Sequence, residues 1–303
     1  MTITNGTRTH LVERAVARMG GAGAIQHDAP IIDEPSAEPP PPPPKPSRPQ
    51  RPIVDVTPHP PIAHDRLLAA GMVAPKGPGR SRVLEEIAMV QHQVLRQVDA
   101  ATEAALPHAR VVLVASALPN EGKSFVALNL AASIAASGGR PVLLVDADGR
   151  IDSVSHALGA ADAPGLRDLA AEPTRQVAEL ALPTAQERLE FLSYGRPSAA
   201  DKELPSGSAM AAAISVLTVA LPDHIIVLDP PPCLSTSDCS ALAAIAGQVV
   251  LVVDAERTAR NEVEAALDVL ESCPTLQLLL NRVRLTANDT FGAYGEYGVP
   301  HAG

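Results

Sequence analysis

The chain has 303 residues, 46% of them apolar, so it can build one large or two modest domains around a sizeable core. Aromatics make up only 2% and tryptophan is absent, which leaves Ala, Leu and Val to form that core, a composition suited to helices packed on a parallel sheet. The net charge of −10 is uneven: residues 1–82 hold ten Lys/Arg against seven Asp/Glu, and the rest hold fourteen against twenty-seven, a body too acidic to wrap nucleic acid.

In chain order, "HLVERAVARM" places Leu11, Val12, Ala15 and Met19 at helical spacing before Gly20-Gly21, so residues 1–27 read as a short helical segment, either a docking helix or a frayed terminus. The front lacks the apolar core of a signal peptide, and no window approaches the ~18 apolar residues of a membrane span. A cytoplasmic protein with no span of its own is expected, reaching the membrane only through a partner. Sixteen of the thirty prolines precede residue 82, which makes residues 28–80 a disordered, polyproline-like spacer or a ligand for an aromatic groove.

Order is expected to resume at "SRVLEEIAMVQHQVLRQVDA", where Val83, Ile87, Val90 and Val94 mark an amphipathic helix. Short apolar runs then follow at 111–115, 141–145, 225–228, 248–253 and 276–280, with a further strand at 188–194. Helical stretches near 124–137, 206–220, 238–246 and 259–272 separate them. Strands apolar on both faces and alternating with helices define an α/β fold, a mostly parallel sheet covered on both sides. Cys233, Cys239 and Cys273 show no metal-ligand spacing and read as small buried hydrophobes in a reducing compartment.

Ligands of such sheets sit beyond the carboxyl ends of the strands. At the first of these ends, "VVLVASALPNEGKSFVALNL" runs from strand through turn to helix, and free amides plus the helix dipole make an anion site. Gly122 permits close approach of a phosphate, Lys123 reaches the β and γ oxygens, and the Ser124 hydroxyl suits Mg²⁺. The usual first glycine of a phosphate loop is replaced by Ala117. "PVLLVDADGR" ends a second strand with Asp146 and Asp148, and "HIIVLDPPP" ends a third with Asp229. Carboxylates gathered beside a phosphate loop are what a magnesium–nucleotide site requires.

"SALPNEGKSFVALNLAASIA", "VLLVDADGR" and "IIVLDPPP" resemble the Walker A, Walker A′ and Walker B motifs of bacterial tyrosine kinases, whose loop also lacks the first glycine. Further segments, "LVERAVARM", "SRVLEEI", "GQVVLVVDAERT" and "LLLNRVR", are similar to the exosortase-associated exopolysaccharide tyrosine autokinases. The resemblance implies a P-loop NTPase fold over residues 81–285, ATP and Mg²⁺ as cofactors, and phosphoryl transfer to tyrosine. It implies that Pro119, Asn120, Glu121, Gly122, Lys123, Ser124 and Phe125 bind nucleotide and that Lys123 holds the phosphates. Ser124, Asp148 and Asp229 would serve the metal and Asp146 would act as base. Asn281 is a candidate for the adenine, with capping or turn formation as the alternative.

Two of three tyrosines, Tyr294 and Tyr297, lie in the glycine-rich stretch 286–303, a flexible tail suited to extend into another active site. The resemblance makes them sites of autophosphorylation in trans within a homo-oligomeric ring, beside a membrane polysaccharide copolymerase (chain-length determinant) partner at the inner face of the membrane. Three departures from the family pattern stand out. Asn120 replaces a glycine at a position where Asn tolerates positive φ. Gly149 replaces a larger apolar residue, a change expected to loosen its loop. Ala88 and Gln91, or Met89 and His92 in the other register, stand where the family's oligomer helix has arginines. Two alternatives compete: a ParA/MinD-like ATPase switch, and a nucleotide-binding scaffold with weak catalysis.

Overall fold

The computed structural model describes residues 59–73, 81–196 and 205–284. Helix α1 spans His64–Ala69 and α2 spans Arg82–Glu103. Strand β1 (Val111–Ser116) leads into α3 (Lys123–Ala136), then β2 (Val142–Asp146). Short helices α4 (Val154–Ala157) and α5 (Leu166–Ala171) precede β3 (Leu182–Pro183) and β4 (Leu189–Leu192). The remainder alternates: α6 (Gly207–Ala220), β5 (Ile225–Asp229), α7 (Asp238–Ala243), β6 (Gln248–Asp254), α8 (Arg260–Leu270) and β7 (Leu276–Asn281).

The seven strands lie in the order β3-β4-β2-β5-β1-β6-β7, parallel except for the two-residue β3. Because successive strand residues face opposite sides, each β-branched run feeds two cores. Val111, Leu113, Leu143, Ile226, Leu228 and Leu251 pack against α5 to α8. Val112, Val114, Leu144, Val227 and Val252 pack against α1 to α4. Helix α3 is apolar on nearly every side and ten of its fourteen residues are buried, so it lies between sheet and α2 rather than at the surface. Two residues past its end, Gly138, with φ 76°, takes the left-handed position that glycine occupies without strain.

Two expectations are corrected. The spacer does not extend unstructured to residue 80, because residues 59–73 pack on the domain. Ile62 pairs with the β3 end, its N–H donating to the Pro183 carbonyl at 2.9 Å, and Leu67 is fully buried. The stretch 62–74 contains no proline, and its Ile62, Leu67 and Met72 supply the apolar surface that holds it down. Burying one such leucine contributes about 1.5–3 kcal/mol. The last strand, by contrast, is not covered on both sides. It sits at the sheet edge, and Leu278 and Leu280 are 57% and 63% exposed.

Candidate nucleotide site

Strand β1 stops at Ser116, and the chain turns through Asn120 (φ 65°) and Gly122 (φ 97°) into α3. The positive φ expected to be tolerable at Asn120 is the conformation found. Gly122 is required twice, for its left-handed backbone and because a Cβ there would collide with the Asn281 amide. Asn281 Nδ2 lies across the turn and donates to the Glu121 carbonyl at 2.8 Å. Beside the turn is a cavity of about 220 Å³ lined by Ser116, Asn120, Gly122, Lys123, Ser124, Phe125, Asp148, Arg150, Asp152, Pro232 and Arg282.

The parallel register of β2 and β5 sets Asp146 opposite Asp229. Between them and the turn, Lys123 Nζ donates to Asp229 Oδ1 at 2.7 Å and lies 3.7 Å from Asp148 Oδ2 and 3.4 Å from Ser124 Oγ. The ammonium is 5% exposed, and Asp229 and Asp146 are fully buried. Asp229 Oδ2 is buried without a hydrogen-bond partner among the described residues. Leaving such an oxygen unpaired is costly, and a hydrated divalent cation held by hard oxygens is what it lacks. Ser124, Asp148 and Asp229 therefore fit Mg²⁺ by donor chemistry as well as by charge.

Asp146 is placed differently from a free base. Its Oδ1 accepts from the Asp148 N–H at 2.8 Å, and its Oδ2 accepts from the Ser155 N–H and hydroxyl at 2.8 and 2.6 Å. Burial, reinforced by the Asp229 charge, pushes its carboxyl up to about 6. Asp148, unlike Asp146 and Asp229, lines the cavity, and the exposed Arg150 grips it, with Nε 3.0 Å from Oδ1 and Nη2 3.0 Å from Oδ2. That hydrogen bond raises the guanidinium's pKa further.

Glu121 does not reach the cavity as a ligand. Its Oε2 accepts from the Leu118 N–H at 2.7 Å, while Oε1 accepts from the Thr258 hydroxyl and, at 3.4 Å, from the Asp254 N–H. A buried carboxylate would in any case repel phosphate, so Glu121 braces the turn against the end of β6. Asn281 likewise braces it. Phe125 lines the cavity with its ring 37% exposed, and Pro119 is exposed outside the lining. At Gly149 the space of the missing side chain is filled: a Cβ there would strike the Tyr194 ring. Gln91 turns inward, accepting from the Ser133 hydroxyl at 2.5 Å, while Ala88, Met89 and His92 are exposed. Tyr294 and Tyr297 lie outside the described residues, as does the segment 10–19.

Sequence reasoning missed Arg150, Ser155, Thr258 and Arg282. Arg150 is in the "DADGR" segment, two residues past Asp148, and that spacing is a usable signal. Ser155, Thr258 and Arg282 reach the site only through folding.

A parallel sheet ending in this turn, with a lysine and three aspartates at the ends of β1, β2 and β5, defines a P-loop nucleotide-binding α/β domain. No family model matches the chain. It is 30% identical over 187 residues to the tyrosine-protein kinase YwqD of Bacillus subtilis, covering 61% of this chain and 77% of that protein. It is also 33% identical over 181 residues to EpsB of Ralstonia solanacearum, covering 59% of this chain but only 24% of EpsB, so the chain spans about a quarter of that relative's length. The kinase domain of the Escherichia coli tyrosine kinase ETK superposes with a TM-score of 0.50 at 22% identity, covering 59% of this chain and 69% of that one, a likeness of fold. The chain belongs to the bacterial tyrosine-protein kinase family. Among the described residues no helix is long and apolar enough to cross a membrane.

Proposed function

We propose that the chain is an ATP-dependent tyrosine autokinase that transfers phosphate to Tyr294 and Tyr297 of a neighbouring copy. It would act at the inner face of the membrane, beside a polysaccharide copolymerase, in the control of exopolysaccharide export. The observation that carries this reading is the Lys123 ammonium, 2.7 Å from Asp229 and 3.7 Å from Asp148, behind a glycine turn beside the cavity. Family membership supplies the substrate class.

Phosphoryl transfer asks a protein for positioning and charge compensation more than for covalent chemistry. Lys123 now neutralises the carboxylates. Ser124, Asp148 and Asp229 would hold Mg²⁺, which would supply positive charge to the phosphates, and Lys123, 2.7 Å from Asp229, would be the group that turns to the phosphate oxygens. Asn120 and Gly122 set the turn whose amides face the anion. Asp146 keeps Asp148 in place through its N–H. With a carboxyl pushed up to about 6, Asp146 is ionised at neutral pH yet basic enough to accept a phenolic proton. It does so by exchanging one of its Ser155 bonds for the tyrosine hydroxyl. Arg150 pairs with Asp148 from a partly exposed position, so its guanidinium would be available to the phosphates once Asp148 served the metal.

The test is incubation of the full chain with Mg-ATP and mapping of phosphotyrosine by mass spectrometry. Phosphate on Tyr294 and Tyr297 that vanishes in Lys123→Met is expected. Hydrolysis of ATP without phosphotyrosine would overturn the kinase reading in favour of a nucleotide switch.

A further inference from the structure

Cys233 and Cys239 take no part in the chemistry above, yet their Sγ atoms lie 2.9 Å apart. A disulfide bond is about 2.05 Å long, so the two sulfurs need to close by less than ~1 Å. Both residues are buried, at 2% and 0% exposure. Cys233 follows the three prolines that leave β5, and Cys239 is the second residue of α7. This segment is tied to the phosphate turn: the Cys233 N–H donates to the Ser116 carbonyl at 2.8 Å and the Leu234 N–H to the Ala117 carbonyl at 3.2 Å. Pro232, next to Cys233, lines the nucleotide cavity. Cys273 is held apart, its Sγ 3.4 Å from the carbonyl oxygens of Ala246 and Thr275.

We propose that Cys233 and Cys239 form a redox modification site, closed to a disulfide by hydrogen peroxide and reopened by a dithiol reductant. The sulfur of one cysteine, giving up its thiol proton, attacks one oxygen of the peroxide; the O–O bond breaks and the released hydroxide takes that proton, leaving a sulfenic acid and one water. The second sulfur then attacks the sulfenic sulfur, the S–O bond breaks, and its proton leaves with the hydroxyl as a second water. Two electrons pass from the sulfur pair to the peroxide, which balances the step. Burial selects an oxidant of nearly water size. The hydrogen bond to Cys233, together with burial, holds the Cys239 thiol far above its usual range. The pair therefore rests protonated and reacts slowly in a reducing compartment. Once one sulfur is oxidised, a partner already in contact traps the sulfenic acid before further oxygen is added. The site is independent of whether the chain phosphorylates tyrosine.

The experiment uses the full chain and its Cys273→Ser variant, treated with hydrogen peroxide, alkylated and weighed intact. The variant is expected to lose two hydrogens, to take up no alkylating reagent, and to regain both thiols with dithiothreitol. In the unsubstituted chain Cys273 remains open to alkylation once the protein is unfolded. Cys239→Ser and Cys233→Ser, each checked for fold by circular dichroism, should lose the two-hydrogen signature and accumulate oxygen on the remaining cysteine. The proposal is overturned by sulfinic acid at Cys233 or Cys239 in place of the disulfide in the Cys273→Ser variant. It is equally overturned by both thiols staying free under peroxide that oxidises Cys273 in the unsubstituted chain.

Discussion

Two carboxylate clusters sit at the same end of the sheet, a few residues apart in sequence, and they are built to opposite specifications. Around Lys123, Asp148 and Asp229 share one buried ammonium, Asp148 also holds a rim arginine, and Asp146 stands beside them with no cation of its own among the described residues. There Asp229 Oδ2 has no partner among the described residues, and Asp146 is pushed up to about 6. Around Glu121, every carboxylate oxygen is answered. Glu121 accepts from Leu118, Thr258 and Asp254, and Asp254 accepts from the Glu256 N–H at 3.0 Å and from Arg282 Nη1 at 2.7 Å. The first cluster is short of positive charge and the second is closed. A closed cluster holds backbone in place, whereas one short of charge marks where a cation and its ligand enter. The phosphate turn lies between the two, braced by one and emptied toward the other.

The largest break in this contrast comes from Lys123→Met. Tail phosphotyrosine should fall by about 100- to 1,000-fold, as when a preorganised charge donor is lost. Urea unfolding should also show a loss of about 3–5 kcal/mol, because buried carboxylates lose their partner. Mg²⁺ should recover part of that stability in the variant and change the unsubstituted chain less. Magnesium-insensitive unfolding in the variant would mean that the aspartates do not form a cation site.

The next effect is on pH dependence. Asp146 has its folded pKa raised to about 6 from 3.8, so the native state keeps its proton to higher pH than the unfolded chain. Its contribution is fully present below the unfolded value and is lost as pH rises through the folded one, a fall of about 3 kcal/mol between pH ~4 and ~6. Asp146→Asn should lack that fall, so the difference between the variant's and the parent's stability–pH curves should carry it. Parallel curves for variant and parent across this range would contradict it.

Glu121→Gln tests the closed cluster. The amide brings two donors where Leu118, Asp254 and Thr258 already donate, so a cost of about 1–3 kcal/mol is expected. Nucleotide affinity, read by a fluorescent ATP analogue, should weaken by up to about tenfold for each 1.4 kcal/mol of turn geometry lost. Stability loss with unchanged affinity would separate this cluster from the site. The smallest effect belongs to Arg282→Ala. Its partner Asp254 is buried, but the guanidinium side chain is 47% exposed, so about 1 kcal/mol or less is expected in thermal unfolding.

Much of the fold was legible in the residues. Short runs rich in Val, Ile and Leu pointed to strands buried on both faces, and their alternation with Ala/Leu-rich helices to parallel crossovers. The clearest failures have a common origin. The proline count over residues 28–80 averaged away the proline-free stretch that packs around Leu67. In β7 the run is broken by Gln277 and holds no β-branched residue, and its place at the edge of the sheet exposes Leu278 and Leu280. Composition reports what a segment can bury and does not say whether a partner element arrives to cover it.

The site divides in the same way. Gly122, Lys123 and Ser124, and the aspartates at the ends of β2 and β5, were readable because their chemistry is local: a turn, a helix start and a strand end each declare themselves in a few residues. The roles of Glu121 and Asn281 were not, since each depends on elements more than a hundred residues away that dock beside the turn. The Ser155 grip on Asp146, the Tyr194 ring over Gly149 and the meeting of Cys233 with Cys239 span shorter stretches of chain, yet they too depend on how the intervening turns pack. Local dihedral preference and side-chain chemistry determined which groups the protein would offer. Which of those groups were left short of a partner, and so free to bind, was decided only when packing set the distances between them.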